Sequence, residues 1–436
     1  MREIAIDIVR RLRAAGREAY FVGGCVRDEW LGKEPGDYDI ATSALPAEVE
    51  SLFPRTVPVG RKFGVMLVIE KGQPFQVATF RLEGDYRDGR HPGRVTFGDA
   101  AADARRRDFT VNGLFYDPIE NRLHDWVGGE SDLRARLIRT IGDPDERFGE
   151  DHLRLLRAVR FAAQLDFEVE PATLAAVRRN APKIAGVSAE RVREELLKLF
   201  WPRHAARGLE RLRESNLLTE VLPELSATIA CEQSPEFHPE GSVYNHLIRM
   251  LEHLPDDASV SLVWAGLLHD VGKPATAARD EETGQIHFFG HEKVGAEMAA
   301  RVLERLRFPR KQAEEIVTAV RQHMQFKDVL GMRKSTLRRL LLRPTYPLEL
   351  ELHRLDCLGS HGRLDLYEFL VGQAKQLEDR PALHPPLITG RDLLALGMKP
   401  GPAMGGLLAQ IREKQLQDEL RTPEEARAWA RQRLEL

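Results

Sequence analysis

Two aspartates, Asp37 and Asp39, stand one residue apart at the end of the stretch FVGGCVRDEWLGKEPGDYDIAT, which runs from Phe21 to Thr42. If Asp37-Tyr38-Asp39-Ile40 is extended, side chains at i and i+2 share a face and the two carboxylates converge. Carboxylates a few ångströms apart repel. A divalent cation relieves that repulsion, and Mg²⁺, which prefers carboxylate, phosphate and water oxygens, is the natural one. Upstream, Gly23-Gly24 lets backbone N–H groups come close to an anion, and a helix opening near Val26 would add its positive end. Phosphates beside a carboxylate-bound metal point to nucleotidyl or phosphoryl transfer. Either half alone reads as an ordinary turn; the two together carry the chemistry.

Two further pairs could handle a nucleotide. In ADARRRDFTVNGLFYD, Asp108 and Asn112 are four apart, which on a helix puts them on one face, with Arg106 and Arg107 at its start to hold a triphosphate or ribose. In EDHLRLLR, Asp151 and Arg154 are three apart, so on a helix they would present an acceptor beside a donor. Cytosine and adenine each offer an amino donor next to a ring-nitrogen acceptor, whereas uracil and guanine offer a carbonyl next to an N–H. A carboxylate beside a guanidinium therefore accepts C and A and mismatches U and G. Mispairing of such a buried polar edge discriminates by roughly 10⁴.

These residues need elements to hold them. The start, MREIAIDIVRRLRAAG, predicts an amphipathic helix, followed by strands near Ala19–Val22 and Tyr38–Ala41 and a short helix over Leu45–Phe53 entered at Pro46. Val65–Ile69 and Phe75–Phe80 predict two more strands joined by the turn Lys71-Gly72-Gln73-Pro74. Thr79–Phe97 is polar, Gly-rich and too irregular for an element of its own; a loop of that length in a compact domain is usually functional or disordered. From about residue 143 onward the pattern is helical, with Ser188 as the expected N-cap of AERVREELLKLF. A proline-rich connector follows Arg380, and Pro423–Leu436 predicts a last amphipathic helix.

With 436 residues, 42% apolar and 30% charged, the chain is long enough for two to four domains, each with its own core. Its net charge of −3 argues against indiscriminate coating of nucleic acid by a basic surface, while leaving room for a local basic groove. Cys25, Cys231 and Cys357 are scattered, which supports neither a disulfide framework nor a zinc ribbon. There is no apolar run long enough to span a bilayer and no signal-peptide core, so a cytoplasmic protein is expected.

The stretch Gly23-Gly24-Cys25-Val26-Arg27-Asp28, followed by Asp37-Tyr38-Asp39, resembles the GG-x-VRD and D-x-D signature of the tRNA nucleotidyltransferases and bacterial poly(A) polymerases, a branch of the DNA polymerase β superfamily. Arg106, Arg107, Asp108 and Asn112 match the RRDFxxN motif of that family, and Asp125–Gly129 with Asp132–Gly142 match its next motif, which implies a hinge between sheet and helices. Glu150–Arg157 matches EDxLRxLR, and Ser188 onward matches SxERIxxEL, the element that braces this region. The resemblance implies that Thr79–Phe97 helps to switch nucleotide choice. One departure stands out: relatives commonly carry an acidic residue where this chain has Gln76, so Asp37 and Asp39 alone are expected to hold the metal.

A second resemblance lies in the middle of the chain. His246, the run Leu267-Leu268-His269-Asp270-Val271-Gly272-Lys273-Pro274 and Asp356 are similar to the HD metal-dependent phosphohydrolase pattern, in which a first His, an adjacent His-Asp and a distant Asp converge on a metal. The dipeptide alone is weak evidence, since His124-Asp125 is a second occurrence. The two imidazoles and two carboxylates suit a transition metal such as Mn²⁺ or Ni²⁺, and His291 and His323 could add ligands for a second ion. The resemblance suggests small phosphoester targets at damaged RNA ends. The alternative is that these polar residues simply hold one another inside a helical body.

Together these expectations describe an α+β protein with a small mixed-sheet, polymerase-β-like nucleotidyltransferase head, an all-α neck, an HD-type helical body and a tail. The expected divisions are 1–142, 143–225, 226–375 and 376–436. The implied activity is template-independent addition of C, C and A to the 3′ end of tRNA from CTP and ATP. Asp37 and Asp39 would be catalytic. Gly23, Gly24, Arg27, Arg107, Asp108, Asn112, Asp151, Arg154 and Arg157 would bind the nucleotide. An enzyme adding only A or only CC, a poly(A) polymerase, and an HD phosphohydrolase with a vestigial head are the competing readings.

Overall fold

The structure, a computed structural model, describes residues 1–60, 63–83, 95–234, 238–378 and 385–434. It divides into two compact units, Met1–Ser226 and Ala227–Leu436.

The first unit opens with the helix Arg2–Ala14, which buries Ala5, Ile8, Val9 and Leu12 on one face. This is the i, i+3, i+4, i+7 stripe that its sequence pattern predicts. Seven strands form one mixed sheet in the order β3-β4-β5-β2-β1-β8-β9: β1 (Ala19–Val22), β2 (Asp39–Thr42), β3 (Thr56–Gly60), β4 (Val65–Glu70), β5 (Gln73–Thr79), β8 (Phe115–Asp117) and β9 (Arg122–His124). Only β2 and β5 run parallel; the other neighbours are antiparallel. The interior strand β1 is buried at every position, as a strand covered on both faces must be. Its last residue, Val22, pairs with Asp39. That register sets the Gly23-Gly24 turn at the strand end where the acidic pair begins.

The β4–β5 hairpin turns on Lys71 (φ 49°) and Gly72 (φ 78°), so the paired residues Glu70 and Gln73 are joined by two left-handed residues. This is the primed turn that matches strand twist, and Pro74 already belongs to the strand rather than to the turn. The segment Thr79–Phe97 is not wholly irregular. Its ends form the strands β6 (Arg81–Glu83) and β7 (Val95–Phe97), paired antiparallel, while residues 84–94 lie outside the described residues.

From β10 (Leu137–Ile138) onward the first unit is helical apart from β10 itself and its parallel partner β11 (Glu168–Val169). Its helices include Pro144–Glu150, Arg154–Leu165, Pro171–Asn180, Ala189–Leu199 and Ala205–Glu214. Ser188 stands at the N-cap of Ala189–Leu199 as expected, although its side chain makes no capping bond.

The second unit is almost entirely helical. Val260–Leu268 is buried from Ser261 to Leu268, an all-round apolar helix at the centre of its unit. Around it lie Val243–Glu252, His291–Arg305, Arg310–Gln322 and Tyr346–Gly359. Gly272 explains one feature of the HDVGKP run: a Cβ there would lie 2.2 Å from the His291 carbonyl and 2.6 Å from the Gly295 nitrogen. Only a glycine lets the two segments carrying His269-Asp270 and His291 meet. Towards the chain end, Arg338 donates to the Leu416 carbonyl at 2.9 Å and pairs with Asp418, which fastens Pro402–Leu416 to the helix Lys334–Leu341.

Candidate functional site

Asp39 opens β2 and Asp37 precedes it, so only the second aspartate is in a strand. The expected alternation nevertheless holds: Asp37 is exposed, Tyr38 buried, Asp39 half-buried and Ile40 buried. The Tyr38 hydroxyl donates to Glu29 at 2.7 Å and anchors the segment from the buried side. Burial, and then the charge of Asp37, push the Asp39 carboxyl up to about 6, with Arg107 opposing the rise. A half-buried carboxylate whose ionisation a neighbouring carboxylate opposes fits, with that neighbour, a donor pair for a divalent cation. Since Ile40 pairs with Val77, the parallel register sets Gln76 level with Asp39, and the neighbour there is an amide rather than a third carboxylate.

Beside this pair runs a chain of polar contacts that brings most of the expected nucleotide-binding residues together. Buried Arg27 donates to Asn112 Oδ1 at 2.7 Å, Asn112 donates to Asp108 Oδ1 at 3.2 Å, and Asp108 Oδ2 accepts from Arg157 Nε at 2.8 Å. The guanidinium groups of Arg27, Arg157 and Arg160 lie 5.2, 5.2 and 4.0 Å from the centre of the Phe161 ring. Burial opposes ionisation of Asp108, yet Arg157 and the bond from Asn112 hold its carboxyl down to about 2. Gly23 has φ 74°, and a Cβ on it would approach Arg107 Nη1 to 3.2 Å, so the glycine gives this arginine its place.

The helix expected over Asp108–Asn112 is not there. The helix Ala100–Arg105 ends before it, Phe109 makes an isolated bridge to Thr140, and only Thr110–Asn112 forms a 3₁₀ turn. Asp108 meets Asn112 because Asp108 also caps the Phe109 amide at 2.8 Å, which folds the chain back on itself. Arg106 and Arg107 follow a helix rather than start one, and buried Asp103 holds both, at 2.6 and 3.1 Å. Asp103 was not foreseen, although its i, i+3 and i, i+4 spacing to the two arginines signals it. Glu195 was not foreseen either: it is buried in the helix Ala189–Leu199 and pairs with Arg160 at 2.7 Å.

Asp151 and Arg154 also differ from expectation. The helix Pro144–Glu150 stops at Asp151, whose φ of −144° is extended, and the next helix begins at Arg154. The two residues therefore flank a turn closed by the bond from Arg154 N to Asp151 O at 3.0 Å. The Asp151 carboxylate accepts from Leu153 N at 3.1 Å and from Arg191 at 2.8 Å. Arg154 is buried and bonds Glu150, the Arg147 carbonyl at 3.0 Å and the Arg106 carbonyl at 3.2 Å. Each base-reading candidate is thus held by a partner from outside the pair.

In the second unit, all six expected residues converge. His246 lies on Val243–Glu252, His269 and Asp270 follow Val260–Leu268, His291 opens its helix, His323 follows Arg310–Gln322, and Asp356 lies on Tyr346–Gly359. His246, His269 and Asp356 form one group able to hold an ion, and Asp270, His291 and His323 form another. The Nδ1 atoms of His269, His291 and His323 bond the carbonyls of Gly266, Phe288 and Val320 at 2.9, 2.8 and 2.6 Å. With Nδ1 engaged as a donor, Nε2 is left as the ligand atom, which is how metal-binding imidazoles are oriented. The Nε2 atoms of His246 and His269 lie 3.0 Å from Asp356 and 3.2 Å from Asp270 without hydrogen-bond geometry. Buried and unsatisfied nitrogens facing carboxylates fit a divalent cation between them. Burial lowers the His246 imidazole's proton affinity, but Asp356 and Glu240 outweigh it and raise the group to about 9. Burial, then the neighbouring His269, push His323 down to about 3. Asp270, His291, His323 and Asp356 line a cavity of about 1050 Å³ whose walls also include Lys273, Phe288 and Arg321.

A small mixed sheet bearing paired carboxylates, followed by helices and a histidine–aspartate centre, defines a nucleotidyltransferase head carried on an HD-type body. Residues 19–139 match the family described as "Poly A polymerase head domain", residues 166–229 match "Probable RNA and SrmB- binding site of polymerase A", and residues 242–358 match the HD domain. A CCA-adding enzyme of Bacillus licheniformis is 39% identical over 341 residues, covering 76% of this chain and 85% of its own length. One of Lacticaseibacillus paracasei is 31% identical over 427 residues, covering 94% and 91%. The crystal structure of the Bacillus stearothermophilus CCA-adding enzyme in complex with CTP is similar with a TM-score of 0.74 at 27% identity, over 99% of this chain and 97% of that one. The chain belongs to the family of CCA-adding tRNA nucleotidyltransferases. Among its described residues no helix is long and apolar enough to cross a membrane.

Proposed function

We propose that this protein adds C, C and A to the 3′ end of tRNA without a nucleic-acid template, using CTP and ATP and releasing pyrophosphate, in the cytoplasm. The observation that carries the reading is the acidic pair Asp37/Asp39 beside the linked residues Arg27, Asn112, Asp108 and Arg157. Asp37 and Asp39 would hold Mg²⁺, which when bound favours loss of the tRNA 3′-hydroxyl proton and neutralises the triphosphate. Gly23, Gly24, Arg27 and Arg107 would receive the phosphates, and Asp108 and Asn112 would fix the arginines that flank the nucleotide. Asp151 and Arg154 would read the base, exchanging Arg191 and Glu150 for the C or A edge. The divisions 1–142, 143–225, 226–375 and 376–436 serve as head, neck, HD body and tail, with the helical parts gripping the acceptor arm by shape and phosphate contacts. The test supplies the purified protein with tRNAs ending at the discriminator base, at C and at CC, each with one labelled nucleotide. Addition of C to the first two and A to the third supports the reading; addition of A alone, of C alone, or of long A tracts overturns it.

A second activity is favoured by the convergence of His246, His269, Asp270, His291, His323 and Asp356. We propose a metal-dependent phosphohydrolase centre that takes Mn²⁺ or Ni²⁺, since imidazole donors suit these ions better than an all-oxygen set would. A bound ion there supplies Lewis-acid activation of water. The residues themselves orient the ligand nitrogens through the carbonyls of Gly266, Phe288 and Val320, and Lys273, 2.7 Å from Asp270, adds a positive charge for a phosphoester.

A further inference from the structure

Three of the four imidazoles in the histidine–aspartate centre direct Nδ1 to a backbone carbonyl, whereas His246 is the exception. Its ring is fully buried, and its Nδ1 lies 3.1 Å from Oε1 of Glu240, a residue outside the recognised histidine–aspartate pattern. Glu240 is itself buried, its side chain 1% exposed, in the connection before the helix Val243–Glu252. It accepts a hydrogen bond from His238 Nδ1 at 2.9 Å through the same Oε1. Its Oε2 and the Nδ1 of His246 are both without a hydrogen-bond partner among the described residues. A buried acceptor and a buried donor left unsatisfied side by side are each costly, and a small rotation of the carboxylate satisfies both. A carboxylate is also an unusual group to bury unless a positive or strongly polarised partner needs it.

We propose that Glu240 is the positioning carboxylate of the centre. It fixes His246 as the Nδ1–H tautomer, raises the basicity of Nε2, and so sets the metal affinity of the site that His246 shares with His269 and Asp356. Its bond to His238 turns that ring's other nitrogen away from the carboxylate, in a residue that lines the cavity above the cluster. A neutral amide in place of Glu240 keeps the shape but loses the charge that polarises His246. This inference rests on the metal-centre reading above.

The test measures Mn²⁺ binding to the full-length protein by calorimetry, in the parent and in Glu240→Gln, Glu240→Asp and His238→Gln. The sites lost in the His269→Ala/Asp270→Ala variant define the HD contribution. Glu240→Gln should bind Mn²⁺ at this centre about 10- to 100-fold more weakly, the usual cost of removing a group that orients a ligand. Glu240→Asp should recover part of the loss, and His238→Gln should bind within about threefold of the parent. Thermal unfolding and C addition to tRNA report whether each variant remains folded. If Glu240→Gln does not fold, loss of Mn²⁺ affinity in Glu240→Asp carries the test. Parental affinity in folded Glu240→Gln or, where that fails to fold, in Glu240→Asp overturns the proposal while sparing the metal centre. Equal losses in Glu240→Gln and His238→Gln also overturn it, since they would mark general loosening. No Mn²⁺ site in the parent that depends on His269 and Asp270 overturns the metal centre and this inference together.

Discussion

Asp108 and Arg157, 49 positions apart in the chain, meet in a two-point grip: Oδ2 of the carboxylate accepts Nε at 2.8 Å and Nη2 at 2.5 Å. Because Asp108 also receives Asn112, which in turn receives Arg27, this contact ties the helix Gly24–Trp30 and the Thr110–Asn112 turn to the helix Arg154–Leu165 through residues proposed to surround the nucleotide.

Replacing Asp108 with Asn keeps the volume and removes the charge, leaving Arg157 against an amide. Arg157 is about a third exposed, so water recovers part of the loss, and a destabilisation of about 1–3 kcal/mol is expected rather than the full cost of breaking a buried pair. The native carboxyl is held near 2, below its unfolded value of roughly 3.9, so its contribution is complete above that value and disappears as pH falls through about 2. Urea unfolding of parent and variant should therefore differ most at pH 7 and less at pH 3. A difference that grows on acidification would assign the effect to another group.

The elements with strong local signals were legible. The first helix, β1, β4 and the Pro46 helix stand where periodicity and turn residues predict them. The strand β3 was not, because Val57 and Val59 are exposed on a sheet edge and Pro58 interrupts the pattern. Asp151 and Arg154 were recognisable as a candidate pair, but their supposed helix breaks between them, since the Asp151 side chain bonds the Leu153 amide and competes with helix continuation. The partners Arg191 and Glu195 come from segments 40 and 35 residues away from Asp151 and Arg160, beyond any spacing rule, and Glu240, six residues before His246, precedes that helix where no helical spacing applies. The histidine–aspartate residues were legible as types in order; the meeting of the His269-Asp270 and His291 segments depends on the close contact at Gly272.

Asp37→Ala and Asp39→Ala should each abolish incorporation of both C and A, because the described sheet brings no third carboxylate to the place level with Asp39, where Gln76 stands. The fold should persist, since Asp37 is exposed and removing a carboxyl whose ionisation is already disfavoured relieves repulsion. Circular dichroism checks the fold and single-nucleotide extension checks the chemistry. Near-normal addition by either folded variant would sink the two-carboxylate site.

Selectivity should respond to Asp151 and Arg154 separately from tRNA binding. Asp151→Ala removes the acceptor and frees Arg191, while Arg154→Ala removes a buried guanidinium that also bonds two carbonyls, so the second should cost more stability than the first. Both should raise UTP and GTP incorporation relative to CTP and ATP, by roughly 10-fold or more if the pair reads the base edge. Uniformly slower addition with unchanged selectivity would place base reading elsewhere.

The two proposed activities belong to different compact units, Asp37 and Asp39 to Met1–Ser226 and the histidine–aspartate cluster to Ala227–Leu436. Groups without shared partners should respond independently to mutation. His269→Ala with Asp270→Ala removes two converging ligand candidates and also unpairs Lys273, which keeps its contact to Gln233 at 2.6 Å. Metal-dependent hydrolysis of a phosphodiester should therefore vanish, while CCA addition stays within about threefold of the parent, the margin expected for uncoupled sites. Both assays are run on the same preparation. Loss of CCA addition in the double variant, with no phosphodiesterase activity in the parent, would mean that these histidines and aspartates serve to hold the helices together.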